Sequence, residues 1–439
     1  MGFDQIEYAG LSDVGVKRSH NQDSHATLLA GDEEQWGMRG HVFLVADGMG
    51  AHAVGELASK LAADTIPHSY SKYAQEGPAA ALRKAFVEAN LTIHARGQQN
   101  REFQGMGTTA TALVIRPEGV WVGHVGDSRA YRVRQGAIEQ LSFDHSLVWE
   151  LARRHHKEPE ELTGVPANVI IRSLGPEPLV QVDVEGPHAF QPGDYFLLCS
   201  DGLSGLVTDR EIGAVVSTLP PAEACRFLIH LANLQGGPDN ITALVIRMGG
   251  TGPSAAEINL EKTPAPPRLS PGRWRPHLHW PLGLLFLGIV LAIVAIFLTY
   301  HMLDGDLPAF ILAALSLVGG LVGLMMQHLR DKERAVAVVD DNQPHVYRHF
   351  SCAVDDTILE KLAQAVATLE GRIREKQWQA DEETTRGHQE QGRRLHEQGF
   401  LEEAFREHCR AMLVLMEAVD LQRKKEETFK PLWDRAPVG

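Results

Sequence analysis

The chain has few cysteines and no excess of positive charge, and each shortage argues against a class of protein. Only four of its 439 residues are cysteines, Cys199, Cys225, Cys352 and Cys409, and no two form a Cys-x-x-Cys pair. Neither a disulfide framework nor a zinc cluster is therefore expected, and a reducing compartment fits best. Acidic residues outnumber basic ones 56 to 42, for a formal net charge of −14. This balance predicts no nucleic-acid partner.

Charge is also missing from two long stretches in the second half of the chain. Residues 281–300 and 307–326 contain no charged side chain, and a helix of that length would rise about 30 Å, the thickness of a bilayer's hydrocarbon core. Lysines and arginines flank the pair on both outer sides, which predicts that both flanks are cytoplasmic. We expect a two-helix transmembrane hairpin over 281–326, in preference to a buried helical hairpin. The opening residues predict no secretory signal peptide.

The part of the chain before the hairpin divides into a domain and a linker. Residues 1–250 contain short apolar runs that end in Gly, Asp or Asn, a pattern typical of an antiparallel-rich α+β domain. Within it, residues 53–73 and 78–99 carry apolar residues at helical spacing, so we expect two helices that cover a sheet face. Seven of the 23 prolines lie in 251–281. We therefore expect a proline-rich linker over 251–280.

Residues 345–430, beyond the hairpin, are predicted to be a helical cytoplasmic interaction region. Apolar residues recur every three or four positions over 358–373, after an acidic helix start, which predicts an amphipathic helix. The later stretch GRRLHEQGFLEEAFREHCRAMLVL resembles one tetratricopeptide-type helical pair. A helical bundle or coiled-coil dimer is an equal alternative, because solenoids usually need about three or more repeats. Either form predicts a protein partner or self-association through 350–430, without chemistry.

Aspartates stand where the predicted strands of the first domain begin or end. Asp47, Asp127 and Asp201 follow apolar runs, and Asp239 precedes one. One such residue is usually a plain turn residue, but a sheet can bring several strand ends together. A cluster of Asp oxygens without cysteine suits Mg²⁺ or Mn²⁺ and argues against zinc. Two such ions would lower the pKa of a bound water and clamp an in-line displacement at phosphorus.

Eight motifs lie in order between residues 10 and 246: GLSDVGVKRSHNQDS, VADGMGAHAVGELAS, GMGTTATALVI, GHVGDSRAYRV, FDHSLV, IIRSLG, LLCSDGLSGLV and GGPDNITALVI. Together they resemble the successive motifs of bacterial type-2C (PPM) metal-dependent serine/threonine protein phosphatases. The resemblance implies a central β-sandwich flanked by helices, with two metal ions at one edge of the sheets. It also implies hydrolysis of phosphoserine or phosphothreonine in proteins by direct attack of a metal-activated water.

The resemblance implies a set of metal ligands, for two ions of Mg²⁺ or Mn²⁺. Asp47 would bridge both ions, with the Gly48 carbonyl on one of them. Asp201 and Asp239 would complete the protein ligands of the first metal pair. Asp23 would join the second metal shell, directly or through water. Asp47 and Asp239 are also expected to be catalytic.

The same resemblance implies the remaining members of the site. Asp127 matches the ligand of a third, weaker ion. Arg18 matches an arginine that grips the substrate phosphate, a task for which a bidentate guanidinium is well shaped, so it is expected to be both catalytic and substrate-binding. The general acid stays open, because Met49 stands where eukaryotic relatives have His, and His52 is a nearby candidate. Residues 144–182 correspond to a flap beside the site, which is thought to influence substrate choice.

Three functions follow from these observations. The first is a two-pass phosphatase of the cell (inner) membrane, in contact with lipid, with its N- and C-terminal parts cytoplasmic. It would act on phosphoproteins opposite a cognate Ser/Thr kinase. The second is a catalytically weak pseudophosphatase that binds phosphoproteins. The third is a membrane signalling scaffold whose C-terminal helices are its main receptor surface.

Overall fold

The computed structural model describes residues 2–50, 53–166, 168–249 and 343–428. Residues 2–249 and 343–428 belong to one compact unit. The predicted linker over 251–280 and the predicted hairpin over 281–326 lie outside the described residues. Among the helices that the structure does describe, none combines the length and apolar character needed to cross a membrane.

Two antiparallel sheets form the centre of this unit. The described strands are β1 (Ile6–Asp13), β2 (Asp23–Leu28), β3 (His41–Met49), β4 (Gly107–Thr108), β5 (Ala110–Arg116), β6 (Gly119–Val125), β7 (Arg129–Arg134), β8 (Ala137–Gln140), β9 (Asp183–His188), β10 (Tyr195–Cys199), β11 (Ile241–Met248) and β12 (Arg348–Ser351). The first sheet has the order β1-β11-β10-β7-β8-β12. The second has the order β2-β3-β5-β6-β9, with β4 paired to β3.

Helices cover the outer face of each sheet. The described α-helices are α1 (Glu33–Met38), α2 (Ala53–Tyr73), α3 (Pro78–Gly97), α4 (Leu147–His155), α5 (Asp201–Ser204), α6 (Asp209–Thr218), α7 (Pro221–Leu234), α8 (Asp356–Glu375), α9 (Glu382–Glu397) and α10 (Leu401–Thr428). The helices predicted over 53–73 and 78–99 are confirmed as α2 and α3, and α3 ends two residues early.

The two sheets pack face to face around a shared apolar core. Phe43 of β3 and Leu113 of β5 come from the second sheet, and Phe196 of β10 and Leu244 of β11 come from the first; all four are fully buried in one cluster. Because alternate residues of a strand face opposite sides, the other apolar residues of these strands face the helices. On the second sheet this outer layer includes Leu82 of α3. The predicted α+β sandwich flanked by helices is confirmed.

The C-terminal region continues this layered packing. The apolar stripe of α8 lies in the same buried cluster as α6, α7 and the outer face of the first sheet; its members are Ile358, Leu362, Val366, Leu369 and Ile373. The side chain of Asp355 caps α8 by accepting a hydrogen bond from the Ile358 amide at 3.0 Å. The helix predicted over 358–373 is thus confirmed, and its apolar face packs within this chain.

The C-terminal region also contains a strand where only helices were expected. Residues 348–351 form β12, which pairs antiparallel with β8, with Arg348 opposite Gln140 and Ser351 opposite Ala137. The helical region predicted over 345–430 thus contains, near its start, a strand that the prediction did not include. Phe350 is the single apolar residue of this segment, which therefore lacks the apolar/polar alternation that identifies a strand. The partner strand also lies about 200 residues earlier in the sequence.

Candidate active site

The predicted aspartates gather at one edge of the sandwich because of how its strands pair. Asp23 begins β2 directly opposite Asp47 near the end of β3. In the first sheet, the end of β10 pairs with the start of β11. This register places Asp201, just after β10, beside Asp239, just before β11. Asp127 lies in the turn between β6 and β7, and β7 starts beside the end of β10.

Asp23 is anchored by hydroxyl groups of the other sheet. Its Oδ2 accepts hydrogen bonds from Ser200 Oγ and Thr242 Oγ1, both at 2.7 Å. Its Oδ1 is buried and accepts no hydrogen bond from the described residues. Burial raises the pKa of Asp23 to about 7, with a further contribution from the nearby carboxylates of Asp201 and Asp239. A buried carboxylate oxygen without a donor needs a cation or a proton as its partner.

Hydrogen bonds fix the backbone of Asp47, and its carboxylate faces the other acids. Its amide donates to Thr109 Oγ1 at 2.9 Å, and its carbonyl accepts from Thr108 Oγ1 at 2.8 Å. Next to it, a Cβ at Gly48 would lie 2.1 Å from the Gly55 carbonyl oxygen. Position 48 therefore requires glycine, because the chain must pass so close to the start of α2.

The carboxylates influence one another strongly. The Asp47 carboxyl is hydrogen-bonded to that of Asp201, and burial together with the charge of Asp23 raises the pKa of Asp47 well above its ordinary value. Burial and the charge of Asp239 raise the pKa of Asp201 as well. So many acids at one place repel each other unless protons or cations neutralise them.

Asp127 is likewise a buried carboxylate with a raised pKa. Its Oδ1 is buried without a hydrogen-bond donor among the described residues, and burial, followed by the charge of Asp201, raises its pKa well above the usual range. The flap holds the backbone beside it: His145 Nδ1 accepts a hydrogen bond from the Gly126 amide at 3.0 Å, and the Gly126 carbonyl accepts one from the His145 amide at 2.7 Å.

Arg18 lies at the rim of the site. One of its terminal nitrogens is 2.7 Å from Asp239 Oδ2, with the arginine side chain 48% and the aspartate 37% exposed. Asn240 fixes the loop that carries Arg18, because its side chain donates to the carbonyls of Val14 and His20, both at 2.9 Å. The guanidinium thus lies at the sheet edge that carries the five aspartates, which we call the carboxylate edge, and it remains open to solvent. The five are Asp23, Asp47, Asp127, Asp201 and Asp239.

The site fits hard divalent cations by its chemistry. All of its candidate metal ligands from side chains are carboxylate oxygens, which Mg²⁺ and Mn²⁺ prefer. Two of these oxygens, on Asp23 and Asp127, are buried and accept no hydrogen bond from the described part of the chain. No three His, Cys, Asp or Glu side chains of the described residues stand at metal-holding spacing. Instead, Arg18 pairs with Asp239 and Asp47 with Asp201. The assignment of individual ligands therefore stays a prediction.

Sequence reasoning missed the residues that orient these acids. Ser200, Thr242 and Asn240 stand beside predicted ligands in the SDG and DNIT motifs, and that adjacency was the only signal in the sequence. The candidate general acid His52 lies outside the described residues, and Met49 ends β3, opposite Gly107 of β4. Cys199, the last residue of β10, is fully buried.

The comparison with known proteins decides the family. The sequence profile described as Protein phosphatase 2C matches residues 16–228. The protein phosphatase PhpP of Streptococcus pneumoniae is 36% identical over 251 residues, which cover 55% of this chain and 98% of the relative. The chain belongs to the protein phosphatase 2C family. The serine/threonine phosphatase stp of Listeria monocytogenes is 34% identical over 241 residues, or 54% of this chain and 93% of that protein.

Solved structures of such phosphatases also match this chain. The Mycobacterium tuberculosis serine/threonine phosphatase PstP/Ppp is 34% identical and covers 56% of this chain and 99% of its own, with a TM-score of 0.49. The catalytic domain of PstP in complex with two manganese ions is also 34% identical, with the same coverage and a TM-score of 0.46. The expected enzyme class of this 2C family member, a protein serine/threonine phosphatase, is confirmed by the relatives' names.

Proposed function

We propose that this 2C phosphatase hydrolyses phosphoserine and phosphothreonine in proteins at a centre of two Mg²⁺ or Mn²⁺ ions, with a third at Asp127. The main support is the set of five aspartates at one sheet edge. Two of them bury a carboxylate oxygen that accepts no hydrogen bond from any residue the structure describes. A relative of known structure binds two manganese ions. Such ions, when bound, supply an activated water and neutralise charge on the phosphoryl group.

The chain's own residues then perform defined tasks. Asp47, Asp201 and Asp239 would hold the ions, with the Gly48 carbonyl, and Asp23 would join them in the orientation that Ser200 and Thr242 impose. Arg18 would leave its ion pair with Asp239 and bind two phosphoryl oxygens of the substrate, since the planar guanidinium matches that geometry. Its partial exposure lets it reach an incoming phosphoprotein.

The proposal is tested by removing single carboxylates. Asp47→Ala and Asp239→Ala in the full chain should abolish hydrolysis of a phosphothreonine peptide with Mn²⁺. Asp64→Ala, at an exposed position of α2, is the matched control and should retain it. An active Asp47→Ala/Asp239→Ala double variant would contradict the proposal. Metal binding without hydrolysis in the wild-type chain would instead favour the pseudophosphatase alternative.

We also propose that residues 281–326 anchor the enzyme in the cell (inner) membrane as a two-pass hairpin, with catalysis on the cytoplasmic face. The support is the pair of uncharged stretches and the basic residues on both outer sides. The four native cysteines are buried, so a Gly305→Cys variant would carry the accessible thiol. A membrane-impermeant thiol reagent should label it from outside intact spheroplasts. Labelling only after lysis, or recovery of the chain in the soluble fraction, would contradict the anchor.

The partners remain part of this proposal. Phosphoproteins are the substrates, and a cognate Ser/Thr kinase would be the opposing enzyme. The C-terminal region buries the apolar stripe of α8 against its own phosphatase domain, so any self-association or partner binding through 350–430 would use the remaining surface. Substrate trapping with Asp239→Ala followed by phosphoproteomics would identify the substrates.

A further inference from the structure

The segment that leads into β12 lies across the base of the flap. The Tyr347 amide donates to the Gln140 carbonyl at 2.9 Å, and the Tyr347 hydroxyl donates to the Glu185 carboxylate. The ring of Tyr347 lies 5.5 Å, centroid to centroid, from that of Phe143. Burial raises the pKa of Glu185. The C-terminal region is thus fixed to both ends of the flap, near residues 143 and 185.

Arg348 extends these contacts to the outer part of the flap. Its side chain is only 11% exposed, and one terminal nitrogen is 2.7 Å from Glu160 Oε1 of the flap. The other lies 3.6 Å from Asp209 Oδ2, at the start of α6. Its guanidinium also lies over the ring of Trp149 in α4, 5.5 Å from the ring centre. A single arginine therefore ties the flap to α6.

These contacts border the path to the carboxylates. Asp127 and Asp201 line a recess of about 300 Å³ whose walls include Trp149 and Glu160 of the flap. A larger groove of about 820 Å³ adjoins that recess, with which it shares four lining residues: Arg129, Glu160, Ser204 and Gly205. Residues 347–350 line part of this groove. The C-terminal strand therefore helps to shape the approach to the site.

We propose that Arg348 is a positioning residue for phosphoprotein hydrolysis. It holds the flap at a fixed distance from α6, so that the groove can receive the polypeptide that flanks the phosphorylated residue. A small aryl phosphate needs only the recess, whereas a phosphoprotein needs the groove as well. This inference rests on the proposed function and adds to it a role for the C-terminal region in substrate choice.

The kinetic test compares two substrates on the full-length chain. In Arg348→Ala, the ratio of kcat/KM for a phosphothreonine peptide to kcat/KM for p-nitrophenyl phosphate should fall about tenfold. The fall should come mainly from a higher peptide KM, because Arg348 no longer holds the flap beside the groove. Arg348→Lys should recover part of the ratio. Glu160→Ala, which removes the partner from the flap side, should lower it as well. Arg394→Ala, at an exposed arginine of α9, is the control and should leave the ratio unchanged.

A second readout does not depend on activity. The flap carries Arg153 and Arg154, whose side chains are 60% and 68% exposed, so trypsin cleavage there reports flap opening. Arg348→Ala should accelerate this cleavage several-fold, and Arg394→Ala should not. If Arg348→Ala fails to fold, Glu160→Ala at its exposed position decides both measurements.

The outcomes separate this inference from the proposed function. An unchanged substrate ratio and unchanged cleavage in Arg348→Ala and Glu160→Ala would overturn the positioning role. A parallel loss on both substrates would overturn it too, because a merely structural defect gives that result. If the wild-type chain hydrolyses neither substrate, the proposed function fails, and trypsin cleavage still shows whether Arg348 holds the flap.

Discussion

The carboxylate edge of the two sheets and the C-terminal helices use buried residues in opposite ways. At the edge, Asp23, Asp47 and Asp127 are packed together with raised pKa values. One buried carboxylate oxygen of Asp23 and one of Asp127 accept no hydrogen bond from the described residues. In the C-terminal region, α8 buries an uninterrupted apolar stripe. Burial of uncompensated charge opposes folding, whereas burial of apolar surface favours it.

Stability and chemistry therefore come from different parts of this chain. A fold can tolerate a strained cluster of acids at one edge if apolar packing elsewhere supplies the stability. The C-terminal helices extend the layer over α6 and α7, so they belong to the part that stabilises. Variants at the two places should therefore affect stability and catalysis separately.

The largest effect is expected where a charge is introduced into the apolar stripe. Val366 of α8 is fully buried, so Val366→Asp should lower the free energy of unfolding by about 3–5 kcal/mol, the scale of an uncompensated buried charge. Urea unfolding followed by circular dichroism would measure it. Gln364→Asp on the exposed side of the same helix is the control and should change little. A Val366→Asp protein as stable as the wild type would show that the C-terminal layer does not support the domain.

A smaller effect, on catalysis, is expected from the hydroxyl that orients Asp23. Thr242→Val keeps the shape of the side chain but removes the donor at 2.7 Å. Loss of such an orienting partner typically costs about 10–100-fold in metal affinity or activity. Peptide hydrolysis measured across a Mn²⁺ titration would detect it. Thr92→Val, which removes an exposed hydroxyl of α3, should have no such effect; equal activity curves for the two variants would contradict the orienting role.

A similar or smaller change is expected at the rim of the site. Arg18→Lys keeps the positive charge but cannot make a bidentate contact with the substrate phosphate. The value of kcat/KM for a phosphothreonine peptide should therefore fall about tenfold, within the range expected for loss of a charge-assisted hydrogen bond. Steady-state kinetics would show it mainly as a higher KM. Lys17→Ala, at the exposed neighbouring residue, serves as the comparison. An Arg18→Lys enzyme with wild-type kinetics would exclude a bidentate phosphate contact.

The smallest effect is expected at a surface contact of the C-terminal layer. Arg410 Nε of α10 lies 3.0 Å from Glu223 Oε2 of α7, with both side chains partly exposed. Arg410→Ala should lower the free energy of unfolding by no more than about 1 kcal/mol, and less in high salt. Urea unfolding at two ionic strengths would test this. A loss of several kcal/mol would mean that ion pairs, and not the apolar stripe, hold the C-terminal helices in place.

The sequence predicts the carboxylate edge well because its signals are local. Asp47, Asp127, Asp201 and Asp239 each stand beside an apolar run, and the structure places all four at one edge of the sandwich. The helix over 358–373 was predictable for the same reason, since periodicity within one segment marks a buried face.

Contacts between distant segments could not be predicted in the same way. Thr242 and Ser200 reach Asp23 only after the two sheets have packed together, because these residues lie in different sheets and about 200 positions apart in the sequence. Likewise, nothing near Arg348 indicates that it will meet Glu160 of the flap. Such contacts depend on the register of the sheets, and a single sequence does not show that register.

Calorimetric titration of the metal-stripped full-length chain with Mn²⁺ would show whether the carboxylate edge is a two-ion centre. We expect two tightly bound ions per wild-type chain and loss of both in Asp47→Asn, because that residue is proposed to bridge them. Two ions bound equally well by Asp47→Asn, or no binding by the wild-type chain, would contradict the account.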